Sequence, residues 1–182
     1  PKRARVRGEN LVYRRNVVWN CEYSFEYWNH GSGSVTRNIV FEHNTCVDAG
    51  CGCGHEQRPD PNGRHLMFYD NSAATTNFVI AGNLFSNATD SLLRLHGRDW
   101  TSALVMDRNC WHPARGPMLL WGQRRVGADD FAAFMHARGF DRQSLLADPQ
   151  FLDPDHRDYR LSPDSPAGAL TSQGAFAGAL SD

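Results

Sequence analysis

Between Cys46 and His65 the chain gathers a high density of reactive side chains: Cys51, Cys53, His55, Glu56, Arg58 and Asp60, with Arg64 and His65 behind them. Pro59, Pro61 and the Asn62-Gly63 turn stiffen the stretch. Farther along stand Asp70, Arg94 and His96. Two reactions can be written on these groups. In β-elimination a cation neutralises a uronate carboxylate while a base removes the proton α to it. Arg58 or Arg94 would neutralise, and His55, His65 or His96 would deprotonate. A calcium ion could replace the arginine as neutraliser. Hydrolysis of a glycosidic bond needs two carboxyl groups ~5 Å or ~6.5–9.5 Å apart, and Glu56, Asp60 and Asp70 are the acids available. Basic character rests on arginine, with Lys2 the single lysine, which tilts the reading to an anionic polysaccharide and elimination. The plain alternative is a solvated loop in which Glu56 and Arg58 pair with each other, a contact that contributes little. Cys51, Cys53 and His55 alternate as zinc ligands could. No fourth ligand and no usual paired-cysteine spacing accompanies them, so no metal is assigned there. A Cys51–Cys53 disulfide or two free thiols fits better.

The elements that must position these groups come from a repeat. Four segments begin apolar and carry an asparagine five positions on: Leu11 to Asn16, Ile39 to Asn44, Phe78 to Asn83 and Leu104 to Asn109. Their starts lie 28, 39 and 26 residues apart. A second apolar run follows nine residues after the asparagine at Phe25, Leu92 and Met118, but 22 residues after Asn44, at Leu66. One insertion near 50–63 explains the difference. Short β-branched or aromatic runs separated by Gly, Ser, Asn and Asp read as strands joined by turns. Without crossover helices between them, they fit a coil wound into a parallel β-solenoid in which each turn buries its inward side chains on its neighbours. A stacked asparagine suits such a coil, since it tolerates the left-handed region and its amide can bond backbone or a stacked neighbour. A leucine-rich repeat also ends apolar-x-x-Asn, but its regular leucines are missing here.

In the register of those offsets, Asn29, Asp70 and His96 share one position, and Tyr27, Phe68, Arg94 and Leu120 the position two before. Arginine and histidine are costly inside a narrow coil, which turns this face outward. Tyr27 and Phe68 would then take the apolar side of sugar rings while Asn29 and the charged groups take hydroxyls or carboxylates. Trp100, in a turn beside Arg98 and Asp99, could also touch a ligand. Cys21, Cys46 and Cys110 fall inside coils and read as small buried hydrophobes. Trp19 and Trp111 read as packing.

After residue 127 the pattern changes. Phe131, Phe134 and Met135 share one helical face, with Asp129 and Asp130 at its start and Gly139 as its stop. Extended, proline-punctuated segments follow, and together they form a candidate cap for the last coil. The reading is therefore an all-β domain of about four to five coils over 1–127, capped by a helix and tail over 128–182. No equivalent cap precedes Leu11, so the first coil could pair with another copy of the chain.

With Asn16, Asn44, Asn83 and Asn109 at the coil starts, and with the closing run Gly139-Phe140-Asp141-Arg142-Gln143-Ser144, Asp148-Pro149-Gln150-Phe151, Asp158-Tyr159-Arg160-Leu161 and Ser165-Pro166-Ala167, the chain resembles the C-terminal part of right-handed parallel β-helix proteins of the pectate-lyase-like superfamily. The resemblance spans roughly residues 10–170. It implies the solenoid fold and, for function, a carbohydrate-active protein: a polysaccharide lyase or glycoside hydrolase, or a non-catalytic glycan-binding or spacer module. It also implies a secreted or periplasmic location. No catalytic motif of that superfamily is matched residue by residue.

Composition narrows the classes further. The 182 residues are 41% hydrophobic and 21% charged with a net charge of −1, which excludes disorder and gives no general reason to bind nucleic acid. No stretch approaches the ~20 apolar residues of a membrane helix. The basic start Pro1 to Arg7 has no apolar run behind it and does not read as a signal peptide. Five cysteines cannot all pair internally, which leaves the redox compartment open.

Overall fold

A computed structural model of the chain describes residues 5–29, 33–52, 62–69, 74–97, 99–113, 117–170 and 177–180. Twelve strands make up four repeats: β1 (Arg7–Arg14), β2 (Val17–Trp19), β3 (Tyr23–Tyr27); β4 (Val35–Glu42), β5 (Thr45–Ala49), β6 (Arg64–Phe68); β7 (Ala74–Ala81), β8 (Leu84–Ala88), β9 (Ser91–Leu95); β10 (Leu104–Asp107), β11 (Cys110–His112), β12 (Leu119–Trp121). Each strand pairs in parallel with the strand three places on. The first sheet is ordered β1-β4-β7-β10, the second carries β2-β5-β8-β11 and the third β3-β6-β9-β12. The chain thus visits three parallel sheets in turn, four times over.

The asparagines hold the junction between the first and second sheets. Asn16 Nδ2 donates to Asn44 Oδ1 (2.8 Å), Asn44 Nδ2 to Asn83 Oδ1 (3.0 Å) and Asn83 Nδ2 to Asn109 Oδ1 (3.0 Å). Each Oδ1 also accepts the backbone N–H of the preceding asparagine, and each Nδ2 from Asn44 onward also reaches a carbonyl one repeat back. The left-handed residue at this corner is not the asparagine, as the sequence suggested, but the one before it: Arg15, His43, Gly82 and Arg108, with φ between 51° and 65°. The amide side chain is therefore free to bridge repeats. A second ladder, not foreseen, runs along the outside of the first sheet, where Asn10, Asn38 and Asn77 are themselves left-handed. Asn77 Nδ2 donates to Asn38 Oδ1 and Asn38 Nδ2 to Asn10 Oδ1, both at 2.9 Å.

Strand alternation sends Ile39, Phe78 and Leu104 inward from the first sheet, Cys46, Phe85 and Trp111 from the second, and Phe68 and Leu95 from the third. Each fully buried side chain of this size contributes ~1.5–3 kcal/mol. Cys110 is buried as expected, whereas Cys21 is exposed and Trp19 is 43% exposed beneath Arg157. Those two lie in the first repeat, which no earlier described strand covers.

Beyond β12 the chain turns back as β13 (Arg124–Val126), antiparallel to β12, and enters α1 (Ala128–His136). The helix buries Phe131, Phe134 and Met135 on the last repeat, setting Phe131 edge-on to Trp111 and Phe134 to Trp121. Strand β14 (Leu145–Leu146) extends the second sheet, and β15 (Phe151–Asp153) pairs antiparallel with β16 (Asp158–Leu161). Residues 177–180 lie against the second sheet and its corner with the first: Gly178 N–H donates to Gly82 O, and Ala179 N–H to Thr45 Oγ1.

Candidate functional site

The insertion leaves the stack through a narrow neck. Ala49 pairs with Ala88 and Arg64 with Ser91, so residues 50–63 stand where the third repeat has only Thr89 and Asp90. At the neck a Cβ on Gly63 would lie 1.9 Å from Ala49 O, and one on Gly50 would lie 2.5 Å from Gly63 Cα. Only glycine lets the two limbs approach this closely. His55, Glu56, Arg58 and Asp60 of the insertion, with Cys53, lie outside the described residues, as do Asp70 and Arg98.

Several expected site residues belong to the core instead. His65 is wholly buried, with its Nδ1 2.9 Å from Ser24 Oγ and its Nε2 3.1 Å from Ser86 O. Burial pushes its pKa down to about 4, so it is a neutral core group and no exposed base. Tyr27, Phe68 and Trp100 do come together, at 5.4–6.1 Å between ring centroids, but inside the stack. Tyr27 spends its hydroxyl on Thr75 Oγ1, and Trp100 Nε1–H donates to His96 O. Asn29 is also buried and donates to Thr36 Oγ1. Phe68 and Trp100 offer no face to substrate, whereas Tyr27 and Asn29, with Trp28, line a cavity of about 400 Å³ in the first repeat.

The cause is a slip of one residue in register. Tyr27 pairs with Phe68, but Phe68 pairs with Leu95, and Arg94 lies opposite Met67. Since successive side chains point to opposite faces, the row Tyr27, Phe68, Leu95 and Trp121 turns inward. The next row is Trp28, Tyr69 and His96, with Tyr69 N–H donating to Tyr27 O and His96 N–H to Phe68 O.

That row is the aromatic surface the sequence reading missed. Trp28, 65% exposed, lies 5.9 Å from Tyr69, and Tyr69 stacks on His96 at 5.5 Å with planes 12° apart. Rings stacked at this centroid distance are offset, which leaves part of each face uncovered. Arg94 Nε–H donates to His96 Nε2 at 2.9 Å, so the imidazole is neutral with its proton on Nδ1. Desolvation and then the like charge of Arg64 lower the pKa of Arg94, and Arg125, opposite Leu120 on β13, adds to this. Arg64 pairs with Asp90 at 2.6 Å, whereas Arg94 has no ion-pair partner among the described residues. Tyr23 bonds Tyr69 and Glu22, and burial first, then these bonds, push its pKa well above the usual range, which keeps the phenol protonated. The ensemble is a strip of aromatic rings beside a partly desolvated cation. Such a surface can hold an apolar ring face next to an anionic group. Among the described residues no three carboxylate, imidazole or thiol groups converge as ion ligands.

No family model and no solved structure matches the chain. The uncharacterized protein YwoF of Bacillus subtilis (strain 168) is 34% identical to it over 135 residues, which is 73% of this chain and 25% of that protein. The chain therefore spans about a quarter of the length of the curated relative it matches.

Proposed function

We propose that the chain is a right-handed parallel β-helix segment of the pectate-lyase-like kind that binds an extended acidic polysaccharide along the outer face of its third sheet. Three parallel sheets visited in turn, with asparagine ladders at the corners, support the fold reading. The row Trp28, Tyr69 and His96 beside Arg94 is the observation that carries the function. Its rings recur once per repeat, at a spacing close to the ~4.8 Å between strands, so a polymer lying along the stack meets one ring after another. Arg94 supplies a guanidinium for a uronate carboxylate. Because Arg94 occupies Nε2 of His96, that imidazole orients and binds. Cleavage by elimination or hydrolysis would draw its acid or base from the insertion, where Glu56, Asp60 and His55 stand in sequence.

Titration calorimetry with a polyuronate and a neutral glucan tests this reading. Trp28→Ala should weaken binding of both about tenfold. Arg94→Gln should weaken only the polyuronate. Equal affinity in wild type and Trp28→Ala would discard the strip as the binding face. Unsaturated products appearing in the same mixtures would add lyase activity, and new reducing ends without unsaturation would add hydrolysis.

A further inference from the structure

A second cavity, of about 480 Å³, opens where the aromatic row ends, lined by Gly97, Asp99, Thr101, Trp121, Ala137 and Arg138. It lies between the turn after β9 and the C-terminal end of α1. Gly97 directly follows His96 in the chain. Gly122, next to Trp121, takes the place after His96 in the row, since its N–H donates to Leu95 O as the His96 N–H does to Phe68 O. With φ +59° and nothing within 4 Å of where a Cβ would be, Gly122 leaves that place open. The rings therefore stop at His96, one residue before Gly97 of the cavity wall.

The side chains around it are held ready. Asp99 Oδ1 accepts from Thr101 N–H at 2.9 Å and Thr101 Oγ1 at 2.8 Å, which fixes the carboxylate and holds it below the usual carboxylate range. Oδ2 makes no hydrogen bond among the described residues and can accept from a ligand. The Arg138 guanidinium lies over the Phe134 ring at 3.5 Å and near the Trp121 ring at 5.1 Å. One of its N–H groups donates to Phe134 O, and the others make no hydrogen bond among the described residues. Resting on the binding reading above, we infer that this cavity is a further subsite for one pyranose of the bound glycan, with Asp99 accepting its hydroxyls and Arg138 donating to its ring or carboxylate oxygens. A volume in the ~300–1,000 Å³ range of small-ligand sites holds one or two sugar rings.

Calorimetry with tetrasaccharides of a polyuronate and of a neutral glucan provides the test. Asp99→Asn and Arg138→Gln should each weaken tetrasaccharide binding about tenfold. Trp28→Ala should weaken both ligands. Unchanged tetrasaccharide affinity in Asp99→Asn and in Arg138→Gln, with Trp28→Ala still weakened, overturns the subsite and leaves the strip. Absence of binding by any of these glycans to the wild-type protein overturns both. Melting curves of each variant confirm the native fold, and Asp99, exposed in a turn, supplies the variant least exposed to misfolding.

Discussion

Two buried titratable side chains set opposing pH dependences on the fold. Burial raises the Asp141 carboxyl from 3.8 to about 6, so the folded chain holds this proton more tightly than the unfolded chain does. The stability linked to it is complete below pH 3.8 and is lost as pH rises through about 6. For His65 the sign is reversed. Its pKa falls from 6.5 to about 4, so its contribution is complete above pH 6.5 and is lost as pH falls through about 4. Each slope is worth about 3 kcal/mol, and over their shared window they nearly cancel. Melting temperature should therefore be almost flat with pH in the wild type. In Asp141→Asn it should rise between pH 4 and 6.5, and in His65→Gln it should fall across the same interval. Parallel curves for the two variants would contradict this assignment. The asparagines make a second residue-scale test. Asn83→Ala strips partners from the Asn44 N–H and Nδ2 and from Phe41 O, all buried, and should cost about 2–4 kcal/mol in urea denaturation. Asn38→Ala breaks the exposed outer ladder, where water replaces the lost bonds, and should cost about 1 kcal/mol.

Among the elements, the insertion stands in a rung where the third repeat has only Thr89 and Asp90. Joining Ala49 to Arg64 through Thr-Asp, as the third repeat joins Ala88 to Ser91, should leave the far-UV circular dichroism unchanged and Tm within about 5 °C. Glycan binding on the strip should persist, and any cleavage should vanish. Gly63→Ala, by contrast, drives a methyl into Ala49 O and should cost about 3 kcal/mol or more. The helix is legible from its pattern alone: Phe131, Phe134 and Met135 sit where a 3.6-residue period puts them, and all three are buried. The strand register was less legible. One residue more in the turn between β8 and β9 than the repeat offsets predict sets Leu95, not Arg94, beside Phe68, while the first and second sheets keep their offsets. Arg94 therefore lines up with Met67 and His96 with Tyr69, and Tyr27 and Phe68 stay in the inward row.

At the scale of the whole molecule, the tail closes a second, outer cluster. Leu84 and Cys110 of the second sheet are covered by Ala167, Leu170 and Ala177. The Cys110 thiol is buried and pushed up to about 12, mainly by desolvation. In the intact chain Cys110 should resist a thiol reagent that labels the exposed Cys21. A chain ending at residue 165 should gain reactivity at Cys110 while keeping its strand content, and a Cys110 that stays unreactive would show that the sheet alone covers it.

The repeat, the insertion and the closing helix were determined by sequence alone, because each is a periodicity or an interruption of one, and a period survives without knowledge of contacts. The asparagine columns were legible for the same reason. Which side of the third sheet faces water was decided only by tertiary structure, since alternation makes a strand's two faces differ by one residue of register and only the neighbouring repeat sets that register. The convergence of Asp99, Trp121 and Arg138 around one cavity was likewise out of reach. Those residues lie on three separate elements, and nothing local in the chain states which turn the helix end will meet.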